Sequence, residues 1–231
     1  MTSKTGYRFE TRVIHAAQSP GAWQGATLPP IYQSAAHPHE TAESLGRAFT
    51  GGSDDYIYMR LGNPTNRGLE EKLAALEEGR GAIVMSSGMA AVSNACLTLL
   101  RAGDEFVSSN SLFLSTYTLF ANVLPRFGIA SRLIDLAAPG ALEKAITDKT
   151  RFVYLETIGN PRMDVPDLEG IAQIAHAHGL PVLIDNTLAS PYLLRPIELG
   201  ADVVIHSITK YLSGNGSAAQ AFSQARAMSR P

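Results

Sequence analysis

The chain has 231 residues, 45% hydrophobic and 17% charged, enough for one large domain or a domain with an arm. Its formal charge of −2 gives no electrostatic case for nucleic acid or an anionic membrane as partner. One cysteine, Cys96, excludes an intrachain disulfide; with no apolar leader in "MTSKTGYRFETR" and no run long enough to span a bilayer, a cytoplasmic protein is expected.

Residues 1–55 read as an extended or irregular arm. "QSPGAWQGATLPPIYQSAAHPHE" is rich in Pro, Gly and small polar residues and has no sustained period. Only "TAESLGRAF" predicts a short helix, and His37 and His39, flanking Pro38, read as surface loop. From Tyr56 the pattern becomes regular. "NRGLEEKLAALEEG" predicts a helix with Leu69, Leu73 and Leu76 on one face, Gly79 as its stop, and Glu70, Glu71, Glu77 and Glu78 as a solvated face. "AIVMS" predicts a strand, and "SGMAAVSNACLTLLRAG" a helix closing on Gly103, with Cys96 as a buried structural thiol. "EFVSS" is a strand, and "LSTYTLFANVLPRFG" is mostly helix, broken near Pro125. "SRLIDL", "RFVYLE", "PVLID" and "LGADVVIHS" predict strands. The helices between them are "PGALEKAITD" and "DLEGIAQIAHAHG", the second stopped by Gly179. His176 and His178 do not share a helical face, so they read as a solvated helix end and not as metal ligands.

This alternation predicts an α/β fold with a mostly parallel sheet and helices on both faces. Ligands in such sheets bind beyond the carboxyl ends of the strands. After "AIVM" come Ser86, Ser87, Gly88 and Met89, opening a helix whose first amides and dipole suit an anion. No Walker lysine and no GxGxxG follow. After "PVLI" come Asp185, Asn186 and Thr187; after "VVI" come His206, Ser207, Ile208, Thr209 and Lys210; after "FVYL" come Glu156 and Thr157, then Asn160 in a turn. His206 by itself reads as core packing. Together these ends supply an anion site, a carboxylate, hydroxyls and an amine. Pyridoxal 5′-phosphate (PLP) needs all of them: donors for the phosphate, a carboxylate for the ring nitrogen and a lysine for the aldehyde.

"YIYMRLGNPT", "SSGMAA", "ETIGNP", "DNT" and "HSITKYL" resemble the Cys/Met-metabolism family of fold-type I PLP-dependent enzymes, in order and spacing, from about Phe9 to Gly216. "RLGNPT" and "ETIGNP" are most similar to the O-acetylhomoserine sulfhydrylases. The resemblance implies that Lys210 is the Schiff-base lysine and that Asp185 pairs with the pyridinium nitrogen. It implies that Ser87, Gly88, Met89, Ser207 and Thr209 hold the phosphate, and that Tyr58 and Arg60 reach the phosphate of a neighbouring subunit's cofactor. Asn160 lies near the cofactor's O3′ and the substrate carboxylate, and Thr187 near the ring. Phe113, in "LFL" where the family usually has a tyrosine, stacks on the ring but cannot donate a hydrogen bond.

The implied reaction is γ-replacement on O-acetylhomoserine with sulfide or a thiol, by a homo-oligomer whose active sites are shared between two subunits. The same family contains γ-lyases and cystathionine γ-synthases, and a non-catalytic remnant of the cofactor domain is the reading outside enzymes. The family continues past the lysine with an apolar strand and a C-terminal domain carrying the carboxylate-binding arginine. Here "SGNG" runs into "SAAQAFSQARAMSRP". The expectation is therefore an incomplete PLP-binding domain over residues 56–216, a disordered tail over 217–231, no C-terminal domain, and an exposed edge on the last strand.

Overall fold

The structure, a computed structural model, describes residues 6–17 and 25–215 and the backbone of residues 221–225. The chain divides into two compact units, one ending at Ala75 and one beginning at Leu76. The composition change near Asp55 falls inside the first unit.

The first unit is more structured than its composition suggests. It holds α1 (Phe9–His15), α2 (Ala42–Phe49) and most of α3 (Pro64–Glu77). The α1 segment carries no clear period, yet it is tied down: Arg12 Nη1 donates to the Ala75 carbonyl (3.5 Å) and Lys72 Nζ to that of Ile14 (3.2 Å). Thr41 caps α2 by accepting from the Ser44 amide at 3.1 Å. His37 and His39, expected in a surface loop, are half-buried instead. His39 Nε2 lies 3.2 Å from the Tyr56 carbonyl, and the His37 ring sits 5.5 Å from that of Tyr56.

The second unit is a seven-stranded sheet. In chain order its elements are β1 (Gly81–Met85), α4 (Gly88–Leu99), β2 (Glu105–Ser109), α5 (Leu114–Thr118), β3 (Ala130–Ile134), α6 (Ala141–Ala145), β4 (Thr150–Glu156), α7 (Leu168–Ala177), β5 (Val182–Asp185), α8 (Ser190–Leu193), β6 (Val203–Ser207) and β7 (Ala221–Ala225). The strand order is β1-β7-β6-β5-β4-β2-β3. Strands β2 to β6 pair in parallel, and β7 runs antiparallel to both neighbours.

Alternate residues of the central strands feed two apolar layers, as a sheet covered on both faces requires. Val153, Leu155, Val182, Ile184 and Val204 pack against Leu168, Ile171, Ala172 and Ala175 of α7. Phe152, Tyr154, Leu183 and Ile205 pack under α4 and the helical turns at 119–127, with Cys96 among them. There Phe106 stacks on Phe152 and meets the edge of Phe120, with centroids 4.7 Å apart in both pairs. Burial pushes the Cys96 thiol up to about 12, so it stays an inert thiol.

Four further expectations are corrected. Residues 221–225 are not disordered, and β6 is not an edge. The slot between β1 and β6 presents unpaired backbone groups on both sides, and any extended segment can satisfy them. The rest of the expected tail, 217–220 and 226–231, lies outside the described residues. Glu78, not Gly79, takes the left-handed conformation that ends α3 (φ 60°). Glu77 is not on the solvated face: it is fully buried, because it sits four residues after Leu73 and continues the apolar stripe. Among the described residues no helix is long and apolar enough to cross a membrane.

Candidate active site

The carboxyl ends of β1, β4, β5 and β6 open onto one cavity of about 670 Å³. Each strand delivers its lining residues at its last position or in the turn that follows it. Helix α4 starts directly after β1. Ser87 caps it, its side chain accepting from the Ala90 amide at 3.1 Å, which leaves the first amides directed outward. A Cβ placed on Gly88 would come within 3.1 Å of Ser207 Cβ and 3.2 Å of its Oγ, so the helix start and the end of β6 meet as closely as a glycine allows.

Asp185 ends β5, and the part of it that is not covered faces the cavity it lines. Burial raises its carboxyl above the ordinary range, while hydrogen bonds from Thr187 and the charge of His206 work in the opposite direction. The Thr187 amide donates to Asp185 Oδ1 at 2.9 Å, and Thr187 Oγ1 accepts from the Ser207 amide at 2.8 Å. Thr187 therefore clamps the ends of β5 and β6 together. Lys210 follows β6 in a turn whose amide bonds back to the Ser207 carbonyl (3.2 Å), and Lys210 and Thr209 line the same cavity.

The opposite wall comes from β4 and the loop after β2. Ser111 Oγ donates to Asp164 Oδ1, and Gly159 sits against both, with no room for a Cβ. This holds Phe113 and Asn160 at the cavity. Glu156 accepts from the Phe113 amide at 2.7 Å. Burial, then the nearby Asp185, push its carboxyl up to about 8. The folded, ligand-free protein thus holds a proton on Glu156 that the unfolded chain releases near its ordinary value of 4.5. Stability is then lost as pH rises from there through about 8, by as much as roughly 1.4 kcal/mol per pH unit. Urea midpoints followed against pH should fall over that window in the wild type and stay flatter in Glu156→Gln; parallel curves would contradict this account of Glu156.

The cavity therefore gathers Ser87, Gly88, Met89, Phe113, Asn160, Asp185, Thr187, Ser207, Thr209 and Lys210. Tyr58 and Arg60 belong to the first unit, where the Arg60 guanidinium lies 5.1 Å from the Tyr58 ring centroid. The residues present suit PLP. Outward helix amides and the Ser207 and Thr209 hydroxyls match a phosphate, a buried carboxylate seeks a cation, and an amine stands beside them.

The family model for Cys/Met metabolism PLP-dependent enzymes matches residues 10–221. The chain belongs to that family. It is 44% identical over 215 residues to an L-methionine gamma-lyase of Porphyromonas gingivalis, covering 93% of this chain and 54% of that protein. It is 43% identical over 210 residues to a homocysteine synthase of Schizosaccharomyces pombe, covering 90% and 49%. A solved structure of a putative O-acetylhomoserine (thiol)-lyase from Campylobacter jejuni, carrying a pyridoxyl-lysine phosphate, superposes with a TM-score of 0.92 at 36% identity, covering 96% of this chain and 55% of that one. The chain thus spans about half the length of the curated relatives it matches. The PLP-dependent fold and the mostly parallel sheet agree with the sequence reading.

Sequence reasoning placed Glu156 at a strand end but gave it no role, and it missed Val92, Thr116 and Tyr211, which also line the cavity. Val92 and Thr116 carried no chemical signal. Tyr211 adjoins Lys210, and the same turn that presents the lysine brings it to the cavity.

Proposed function

We propose that this chain supplies the cofactor half of a PLP-dependent enzyme that replaces the γ-substituent of O-acetylhomoserine with sulfide or a thiol, giving homocysteine or methionine and acetate. The observation that carries the reading is the meeting of Lys210, Asp185 and the Ser87–Gly88 helix start in one cavity. The motifs "RLGNPT" and "ETIGNP" favour the sulfhydrylases over other members.

When bound, PLP would supply an aldehyde reactive toward amines and a ring able to take up electron density from the substrate α-carbon. The first amides of α4, with Ser207 and Thr209, hold the phosphate. Asp185 holds the ring nitrogen in its protonated form, and Thr187 fixes the carboxylate through its amide. Phe113 packs against the ring, and its backbone is set by Glu156. Lys210 Nζ takes the α-proton and then moves a proton at the β-carbon, which lets acetate leave from the γ-carbon. Asn160 orients the substrate carboxylate. Tyr58 and Arg60 serve a neighbouring subunit's phosphate, in a homo-oligomer placed in the cytoplasm.

The second reading is γ-elimination from methionine, favoured by the 44% identity to a methionine gamma-lyase. A substrate panel separates the two. Acetylhomoserine with sulfide should yield homocysteine, whereas methionine alone should yield little methanethiol; the reverse pattern would establish the lyase. A visible band with PLP but no turnover on any substrate would leave a cofactor-binding domain without the activity.

A further inference from the structure

We propose that β7 is the positioning strand of the cavity: it links the strand that launches α4 to the strand that delivers Ser207 and Lys210, and its seating sets where the anion-binding start of α4 stands relative to the lysine. The purpose of that placement rests on the proposed cofactor site; the placement itself does not.

Helix α4 begins three residues after Met85, the last residue of β1, so β1 aims its first amides. Among the described residues β1 has one partner strand, β7, paired with it from Gly81 and Ala225 to Met85 and Ala221. Along its other side β7 pairs with β6, from Val203 and Ala225 to Ser207 and Ala221. The Ala221 backbone therefore lies between the last residues of β1 and β6, beside the two turns that line the cavity. Two strand spacings, about 10 Å in all, separate Met85 from Ser207. The start of α4 closes that gap: a Cβ on Gly88 would stand 3.1 Å from Ser207 Cβ.

The lysine side of the cavity is anchored from the opposite direction. Strand β5 pairs with β6, and Thr187 Oγ1 accepts from the Ser207 amide at 2.8 Å. The lysine turn closes on itself, with the Lys210 amide donating to the Ser207 carbonyl at 3.2 Å and the Gly214 amide to the Lys210 carbonyl at 3.1 Å. Strand β1 has no such second anchor in the sheet among the described residues, since it reaches β6 through β7. Unseating β7 should therefore free the α4 end and leave the Lys210 end in place.

The alternative is that α4, packed on the sheet through Ala91, Val92 and Cys96, sets its own start and β7 only fills the slot. Ser223 pairs with Ile83 on one side and Ile205 on the other. Ser223→Pro removes a ladder amide whichever neighbour it faces, and its ring clashes in a central strand. Ser223→Ala keeps every backbone bond. Borohydride labelling of Lys210 in the full chain, titrated with PLP and with phosphate-free pyridoxal, reads the two ends separately. In Ser223→Pro the preference for PLP over pyridoxal should fall by about tenfold, because the helix start that favours the phosphate is displaced. Labelling by pyridoxal should hold, and Ser223→Ala should match the wild type. An unchanged preference in Ser223→Pro would overturn the proposal. Native-state hydrogen exchange of the cofactor-free wild type decides it where the proline variant folds poorly. The Ala90 and Ala91 amides, which bond Ser87 Oγ and the Ser87 carbonyl, should open together with β7 while the Ser207 amide and β2 to β5 stay closed. Ala90 and Ala91 amides that stay closed when β7 opens would overturn it. A wild type that fixes no PLP on Lys210 would remove the cofactor reading, and the exchange would still decide the role of β7.

Discussion

Lys210→Ala is expected to slow exchange of the substrate α-proton by about 10²–10⁴-fold, the range that a positioned proton-transfer group contributes. The lysine stands in the turn after β6, beside Thr209 and across the cavity from Phe113 and Asn160. Among the described residues no other amine lines that cavity. Exchange followed in heavy water by proton NMR isolates this step from departure of the γ-substituent. The variant should still bind free PLP through the α4 amides, Ser207 and Asp185, only without the covalent link. The loss should therefore fall on kcat far more than on cofactor affinity. Equal exchange rates in variant and wild type would remove Lys210 from the chemistry.

Asp185→Asn is expected to lower kcat by about 10²–10³-fold, the size seen when a buried group aimed at developing charge is removed. Asparagine can still accept from the Thr187 amide, so the clamp between β5 and β6 survives. What disappears is the negative charge. The same substitution should leave the cofactor-free protein as stable as wild type or more so, because burial disfavours that charge in the empty site. Higher or equal thermal stability with a collapsed kcat marks a residue kept for chemistry. A loss of stability alongside a modest KM effect would instead make Asp185 a structural cap.

The sequence carried the layered fold because periodicity survives in single strands: the alternation in "FVYLE" and "VLID" is what splits the core into two faces. The cavity was equally readable, because a parallel sheet places chemistry at strand ends: Asp185 and Ser207 are the last residues of β5 and β6, and Lys210 stands three residues further on. Other features depended on distant partners. Glu77 looked like one of four solvated glutamates, yet it occupies the helical position that continues the Leu69–Leu73 stripe; its partner, His206, lies 129 residues away. His176 was read as a solvated helix end, but its Nε2 meets Asp202 at 2.9 Å, a pairing set by where α7 passes the turn that leads into β6. The strand at 221–225 escaped notice because a slot in the sheet, and not the segment's own apolar pattern, gives it its place.

The central claim is that one cavity in this chain holds PLP through Lys210. Incubation with PLP, reduction with borohydride and peptide mapping by mass spectrometry test it most directly. The account predicts a single stoichiometric pyridoxyl phosphate on the peptide containing Lys210, lost in Lys210→Ala and weakened in Asp185→Asn. Label scattered over surface lysines, or unchanged labelling of the Lys210→Ala protein, would contradict it.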